Sequence, residues 1–459
     1  MRATTLKQVA QWCGGTVEPK WENVEITSLC HDSREAEQGT LFFALEGQVD
    51  GHRYVPAARD NGAAAAVCNH PLELDFPQVI VEDTRKALRD VAASYKETIG
   101  CKTVAITGSV GKTTTRTMIC TLLAKKYHTC GTVKNYNNDI GLPVTIGKSD
   151  PDCEMLVLEM GMNHFGEMRQ LTAIGRPDLV LITNIGSMHI ENLGSREGIL
   201  KAKLEILEGL HPGGMAVFNG DEPLLWNLRE HPACKTMYFG IENTACDIRG
   251  TDIELKEGSS QFRITGLGHD FPVTLPVSGL HNVHNAVGAI AVALLCGVSE
   301  KDIQEAMASY VNTSQRQQTF QWNGYTIIDD TYNAGPESTE AALRVLGDTT
   351  GTGEHFKRIA VLGDMLELGN HASAEHHRIG RVSVYKADLL LTYGPLSEKT
   401  VLGAITGGLS QRNAMNFESQ QELLNVLRSR AKPGDVLLFK GSHGMHMENI
   451  LKAFMEEEK

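Results

Sequence analysis

The chain has 459 residues, a length that suits about three domains, with 41% hydrophobic residues and charges scattered as in a globular protein. A formal net charge of −13 argues against a partner that is nucleic acid, whose backbone needs a basic face. No apolar run nears the roughly 18 residues of a membrane span, and Met1-Arg-Ala-Thr opens no leader core, so no membrane partner is expected. The ten cysteines lie apart without a Cys-x-x-Cys pair, which argues against a zinc cluster or a disulfide framework and for reduced thiols in the cytoplasm.

In the first hundred residues, Asp32-Ser33-Arg34 precedes Gly39-Thr-Leu-Phe-Phe-Ala-Leu-Glu-Gly47. A helix is predicted over Tyr54–Asn61, with short buried strands at Ala63–Cys68 and Gln78–Val81. Ser33 and Arg34 beside a strand end are either a phosphate grip, since arginine offers a forked donor, or a turn salt bridge.

Thr103 to Thr115 organise the chain. Val104–Ile106 read as a buried strand and Thr113–Lys125 as the helix after it. The turn between them, Thr107-Gly108-Ser109-Val110-Gly111-Lys112-Thr113-Thr114, has the Gly-x-x-Gly-Lys-Thr spacing, shorter than the common phosphate loop. Such a turn aims N–H groups and a helix N-terminus at phosphate oxygens; Lys112 reaches the β/γ oxygens and the Thr113 or Thr114 hydroxyl a Mg²⁺ ion. The bland alternative is a glycine-rich turn that binds nothing.

From about residue 100 to 312, strands alternating with helices predict a mainly parallel sheet, whose ligands collect at the strands' carboxyl ends. Met155–Leu158 deliver Glu159 there, as a Mg²⁺ ligand or a helix cap. Leu179–Ile182 deliver Thr183-Asn184, and His189 follows, a ligand or a structural histidine. Along Ile199–Leu207 the apolar stripe of Ile199, Leu200, Leu204, Ile206 and Leu207 contains Lys203, whereas Lys201 faces solvent. A lysine so placed loses proton affinity and needs a partner, a role or a modification, unless it snorkels. Gly279–Ala289 open a small-residue helix with His281, Asn282 and Asn285 near its start, where the amides read a base edge or cap the helix.

Residues 312–318 form a polar run that predicts a linker, with Arg316 either on a phosphate or solvated. Tyr325–Ile328 then deliver Asp329-Asp330 and the Tyr332-Asn333-Ala334 segment. Strands at Arg358, Asp388 and Asp435 complete a second, smaller doubly wound domain. His371, His376 and His377 read as a polar helix face rather than a metal cluster.

These residues resemble the Mur ligases, the ATP-dependent amide-forming ligases of peptidoglycan synthesis, over the whole chain. The shared features are the shortened loop, Leu-Glu159-Met-Gly, Thr183-Asn184-Ile, His189, Ala202-Lys203, His281-Asn282-x-x-Asn285 and Arg316. Tyr136-Asn-Asn138, Ile140-Gly-x-Pro143, Asp330-x-Tyr-Asn-Ala334, Leu362–Gly369 and Lys440-Gly-Ser442 point to the subgroup that makes the last addition. Two positions depart: Gly335 stands where Asn is usual, and His443 where Arg is usual.

The resemblance implies three α/β domains: a small UDP-sugar-binding domain (1–98), a central phosphate-loop ATPase domain with a parallel sheet (99–312) and a C-terminal Rossmann-like ligase domain (313–459). It implies a monomer that joins D-alanyl-D-alanine to UDP-N-acetylmuramoyl-tripeptide through an acyl phosphate. ATP would contact Gly108 to Thr114 (Ser109, Val110, Gly111 and Lys112 included), His281, Asn282, Asn285, Arg316 and Asn333. One Mg²⁺ would sit on Thr113 or Thr114 and Glu159, and a second on His189 and a carbamylated Lys203. Asp32, Ser33 and Arg34 would belong to the UDP site. The alternatives are a neighbouring Mur ligase, a folylpolyglutamate synthetase-like ligase, or a nucleotide-switch NTPase without an acceptor.

Overall fold

A computed structural model describes residues 1–230, 232–312 and 315–456. Thr313 and Ser314 of the predicted linker lie outside the described residues.

The described residues build three larger α/β sheets along the chain. The first has five strands in the order Thr16–Val17, Gln78–Ile80, Ala65–Cys68, Thr40–Phe43, Ser28–Cys30, parallel apart from the first pair. The helix predicted at Tyr54 begins one residue later, at Val55, after a 3-10 turn over Gly51–Tyr54, because Pro56 in its first turn needs no N–H partner.

The central sheet has nine strands. Lys102–Thr107 is third from the Thr129–Gly131 edge, flanked by Met155–Glu159 and Leu179–Ile182 and paired in parallel with both. Its interior is apolar on both faces: Val104 and Ile106 pack under the helices Lys112–Leu123 and Leu280–Leu295, and Ala105 under the opposite layer. Burial on both faces is why these strands read as continuous apolar runs.

The alternation predicted up to residue 312 breaks after the parallel strand Lys235–Gly240. Ile248–Lys256, Ser259–Gly266 and His269–Leu275 form an antiparallel meander at one edge. Every second residue of Phe271–Leu275 is buried, the period of a half-solvated strand, and Gly258 and Gly268 make its turns at positive φ.

The C-terminal sheet has six strands in the order Gln318–Trp322, Tyr325–Asp330, Val436–Lys440, Arg358–Gly363, Leu389–Tyr393, Ala414–Phe417. All but the first are parallel. Gln318 belongs to that first strand, so the predicted linker ends one residue early. The three histidines of this region do not share one polar face. His376 is buried, accepting at Nε2 from the Met365 N–H (3.0 Å), with Nδ1 on Ala372 O (2.8 Å); His377 lies beside Thr406. No helix among the described residues is long and apolar enough to cross a membrane.

Candidate active site

The phosphate-loop turn lies at the carboxyl end of Lys102–Thr107. Gly108 and Gly111 have φ of 152° and 83°, and a Cβ at either would collide with Thr183 or Asn285. Gly111 caps the helix Lys112–Leu123 without a side-chain bond, so the first-turn N–H groups are left to an outside acceptor. Thr183 and Asn184 brace the turn from the next strand. Asn184 Oδ1 accepts from the N–H of Ser109 (3.1 Å) and Val110 (3.0 Å), and Thr183 Oγ1 donates to Val110 O (2.6 Å). Lys112 Nζ folds back on the turn, donating to Gly108 O (2.7 Å) and Ser109 O (3.2 Å), and burial lowers its pKa.

Glu159 is 2% exposed and its carboxylate is fully engaged. Oε2 accepts from Thr113 Oγ1 (2.8 Å) and Arg116 Nη1 (3.4 Å), and Oε1 from Asn137 Nδ2 (2.9 Å). Of the two threonine candidates, Thr113 therefore touches the carboxylate. Sequence reasoning missed Arg116 and Asn137. Arg116 sits four residues after Lys112, on the same face of the helix, and that spacing was the available signal.

His189 caps a short helix at φ 65°, and its buried Nδ1 has no aligned hydrogen-bond partner. Glu367 Oε2 of the C-terminal sheet lies 2.7 Å from that nitrogen, out of hydrogen-bond alignment. Lys203 is 2% exposed, with Ile199 and Ala202 buried beside it, while Leu200 and Leu204 are half-buried and Lys201 faces solvent. The helix breaks into a 3-10 turn at Glu205, so the apolar stripe is shorter than its periodicity suggested. Among the described residues the Lys203 amine makes no hydrogen bond or ion pair. Burial, then the charge of Lys112, depresses its pKa well below the ordinary lysine value.

A cavity of about 580 Å³ joins the phosphate-loop turn, Glu159 and His189 to the C-terminal sheet. Its walls include Ser109 to Thr114, Glu159, His189, His281, Asn282, Asn285, Arg316 and Asn333. Lys203 lies outside that lining, as do Asp32, Ser33 and Arg34. Arg34 is exposed and grips Asp32 (2.6 Å), and Asp32 also takes the Arg34 N–H, so the turn salt bridge is the arrangement present.

Burial drives His281 to about 4, so the ring is neutral at pH 7. Arg316 stacks over the Tyr332 ring at 3.9 Å. Lys440 Nζ donates to Asp330 Oδ2 (2.7 Å) and Asn333 O (2.8 Å), which ties the two neighbouring strand ends together. Burial nevertheless leaves the Asp330 pKa raised. Glu337 Oε1 accepts from the N–H and the hydroxyl of Ser187, both at 2.8 Å, clasping the C-terminal sheet's first helix to the central domain. Gly335 is close by: a Cβ there would lie 2.8 Å from Met188 Cγ, so the missing side chain gives Met188 room.

His284 also lines the cavity, and sequence reasoning passed over it. Its Nε2 lies 2.7 Å from Asp221 Oδ2, whose carboxylate accepts the N–H of Ile241 (2.7 Å) and Asn243 (2.6 Å). Burial pushes the Asp221 pKa up, but His284 and these N–H groups outweigh it and hold it below the carboxylate range. The unfolded chain therefore takes up this proton first as pH falls. The stabilisation is complete at neutral pH, above the unfolded pKa, and fades on acidification through the lower folded value. Asp221→Ala should cost about 3 kcal/mol at pH 7 in denaturant unfolding, with a smaller difference at pH 3.

Three family models match in order: "Mur ligase family, catalytic domain" over residues 25–100, "Mur ligase middle domain" over 106–293 and "Mur ligase, glutamate ligase domain" over 315–443. The chain belongs to the Mur ligase family. Among similar Mur ligases, UDP-N-acetylmuramoyl-tripeptide–D-alanyl-D-alanine ligase of Bacillus subtilis is 37% identical, covering 98% of each chain. The enzyme of that name from Escherichia coli is 31% identical over 99% of each. A crystal structure of MurF from Acinetobacter baumannii superposes with a TM-score of 0.90 at 32% identity, covering all of both chains. MurF of Thermotoga maritima in complex with ADP gives 0.79 at 28% identity, over 93% of this chain and 97% of that one.

Proposed function

We propose that this Mur ligase joins D-alanyl-D-alanine to UDP-N-acetylmuramoyl-tripeptide using ATP. The tripeptide carboxylate attacks the γ-phosphate to give an acyl phosphate and ADP, and the dipeptide amine then displaces phosphate. What carries this reading is that the likeness to ligases of this one specificity runs through the whole chain, including both sheets that wall the cavity.

An anion attacking a triphosphate meets repulsion, so the site must supply positive charge. Lys112 would leave the loop carbonyls for the β/γ oxygens, and the first-turn N–H groups would hold the β-phosphate. Arg316 would reach the γ-phosphate from the far wall. His281, neutral, and Asn282, Asn285 and Asn333 would hold the nucleoside. Residues 1–98 would bind the uridine nucleotide at Asp32, Ser33 and Arg34, with Arg34 exchanging Asp32 for phosphate. Residues 99–312 would bind ATP, and 313–459 would bring the amine.

The donor set fits magnesium: a buried carboxylate already on the Thr113 hydroxyl, a histidine nitrogen without an aligned partner, and a buried amine without an anion. Thr113 and Glu159 would hold one ion, and His189 with Lys203 the second once the amine has taken up CO₂ as its carbamate. Bound there, Mg²⁺ would neutralise charge on the transferring phosphoryl group. The chain would act as a monomer in the cytoplasm.

Phosphate release measured with ATP, the UDP-linked tripeptide and a panel of amines tests the assignment. Release with D-alanyl-D-alanine alone is expected. Release with glutamate or diaminopimelate instead would make the chain a different Mur ligase, and release without any amine a simple NTPase. Product masses with lysine- and diaminopimelate-containing tripeptides then define the third residue accepted.

A further inference from the structure

At the end of the central sheet away from the phosphate loop, three neighbouring strands begin side by side: Lys102–Thr107, Met155–Glu159 and the edge strand Thr129–Gly131. Cysteines far apart in sequence meet there. The Cys153 thiol, which donates to Met155 O (3.3 Å), lies beside those of Cys101 and Cys130. His128 and Cys130 are two residues apart on extended backbone, so they share a face. Facing them is the turn that carries Asp150, Asp152 and Cys153. One ligand atom from each of His128, Cys130 and Asp150 lies within 4.8 Å of the others.

The backbone beneath these side chains is fixed. The His128 N–H donates to Glu154 Oε2 (2.8 Å), and its carbonyl accepts from the N–H of Glu154 (2.9 Å) and Met155 (3.2 Å). Cys130 is in register with Leu156 in the parallel ladder, and the Cys153 N–H closes the facing turn on Asp150 O (3.1 Å).

His128 stands between two carboxylates: Nε2 is 3.1 Å from Asp150 Oδ2, and Nδ1 is 3.2 Å from Asp152 Oδ1. If Asp152 keeps the Nδ1 proton, Nε2 is left as a lone-pair donor beside Cys130 and Asp150. A carboxylate that fixes the imidazole tautomer in this way is the usual support behind a metal-bound histidine.

The geometry points to a divalent transition-metal site formed by His128 Nε2, the Cys130 thiolate and the Asp150 carboxylate, with Asp152 as the orienting group. Metal bonds of roughly 2.0–2.3 Å put tetrahedral ligand atoms about 3.3–3.8 Å apart, so the trio needs to close by about an ångström. The side chains of His128 and Asp150 are exposed enough to do so. Mixed nitrogen, sulfur and oxygen donors select zinc and its neighbours over magnesium, which prefers oxygen alone. Water, or Cys153 behind Cys130, completes the shell. Metal here pins the sheet's edge strand to the neighbouring turn, at the end remote from the reaction.

The test uses the full chain, stripped with chelator and kept reduced in excess Mg²⁺, and titrates it with Co²⁺. A single equivalent should produce the thiolate-to-cobalt charge-transfer band and tetrahedral visible bands, and Zn²⁺ should abolish both. The charge-transfer band separates this site from the catalytic one, which offers no thiol. Cys130→Ser should lose the charge-transfer band, and His128→Gln should lose tight binding, with circular dichroism confirming that both are folded. Asp152→Asn should weaken Co²⁺ binding about tenfold. Absence of the band in the wild-type chain, or its persistence in Cys130→Ser, would overturn the proposal. So would a Cys130–Cys153 disulfide formed by mild peroxide in protein that binds no Co²⁺, since the cluster would then be a thiol pair.

Discussion

Lys112→Ala is expected to lower ADP release about a thousandfold when ATP and both acceptors are present. The argument is electrostatic. At an effective dielectric of about 20, one unit charge 4 Å from another is worth about 4 kcal/mol, and that much barrier corresponds to about 10³ in rate. Lys112 lies in such an environment: it is buried, its charge is destabilised by desolvation, and only the carbonyls of Gly108 and Ser109 and the field of Glu159 hold it charged. Triphosphate in the turn would give the ammonium a better partner than either carbonyl. The wild type would then recover that desolvation cost on binding, and the alanine variant would not. The turn should survive, because Asn184 and Thr183 brace it independently of the lysine. Nucleotide affinity by calorimetry and ADP release by a coupled assay check both halves. Near-normal turnover would remove Lys112 from the chemistry.

How far the sequence reached depended on whether a signal was local. The turn at Gly108–Thr114, its strand and its helix were legible because strand, small residues and helix follow one another directly. Lys203 was legible because a charge inside an apolar stripe contradicts its surroundings at every step of the helix. The meander after Lys235 was not, since its alternating pattern falls in a region where parallel strands had set the expectation. Arg116, marked only by its spacing from Lys112, and Asn137 and His284 were not picked out as site residues, because each is placed by a partner distant in the chain: Glu159 for the first two, Asp221 for the third. The meeting of Cys101, Cys130 and Cys153 escaped for the same reason. Parallel pairing brings strand starts together that the sequence keeps apart, and no spacing rule for cysteines sees it. The resemblance to Mur ligases supplied what periodicity could not, a reason for Asn285 and Arg316 to share one cavity.

Lys203→Ala should cost about 10²–10³ in turnover, and short carboxylates such as formate or acetate should restore part of it. The premise is the state of the amine. Burial and the nearby Lys112 charge both disfavour the ammonium, and among the described residues no carboxylate pairs with it. A neutral buried amine attacks CO₂, forming a carbon–nitrogen bond and releasing one proton, and the resulting carbamate carries negative charge. That anion would relieve the positive field of Lys112 and would offer a metal at His189 a second ligand. Alanine leaves a cavity the size of the lost stem, into which a small carboxylate fits. Arginine leaves none, stays protonated and cannot be carbamylated, so Lys203→Arg should be inactive and unrescued. A carbonyl carbon resonance from ¹³CO₂-equilibrated protein should appear in the wild type and vanish in both variants. Full activity of Lys203→Arg, or the same ¹³C signal in Lys203→Ala, would show that this lysine is not the modified group.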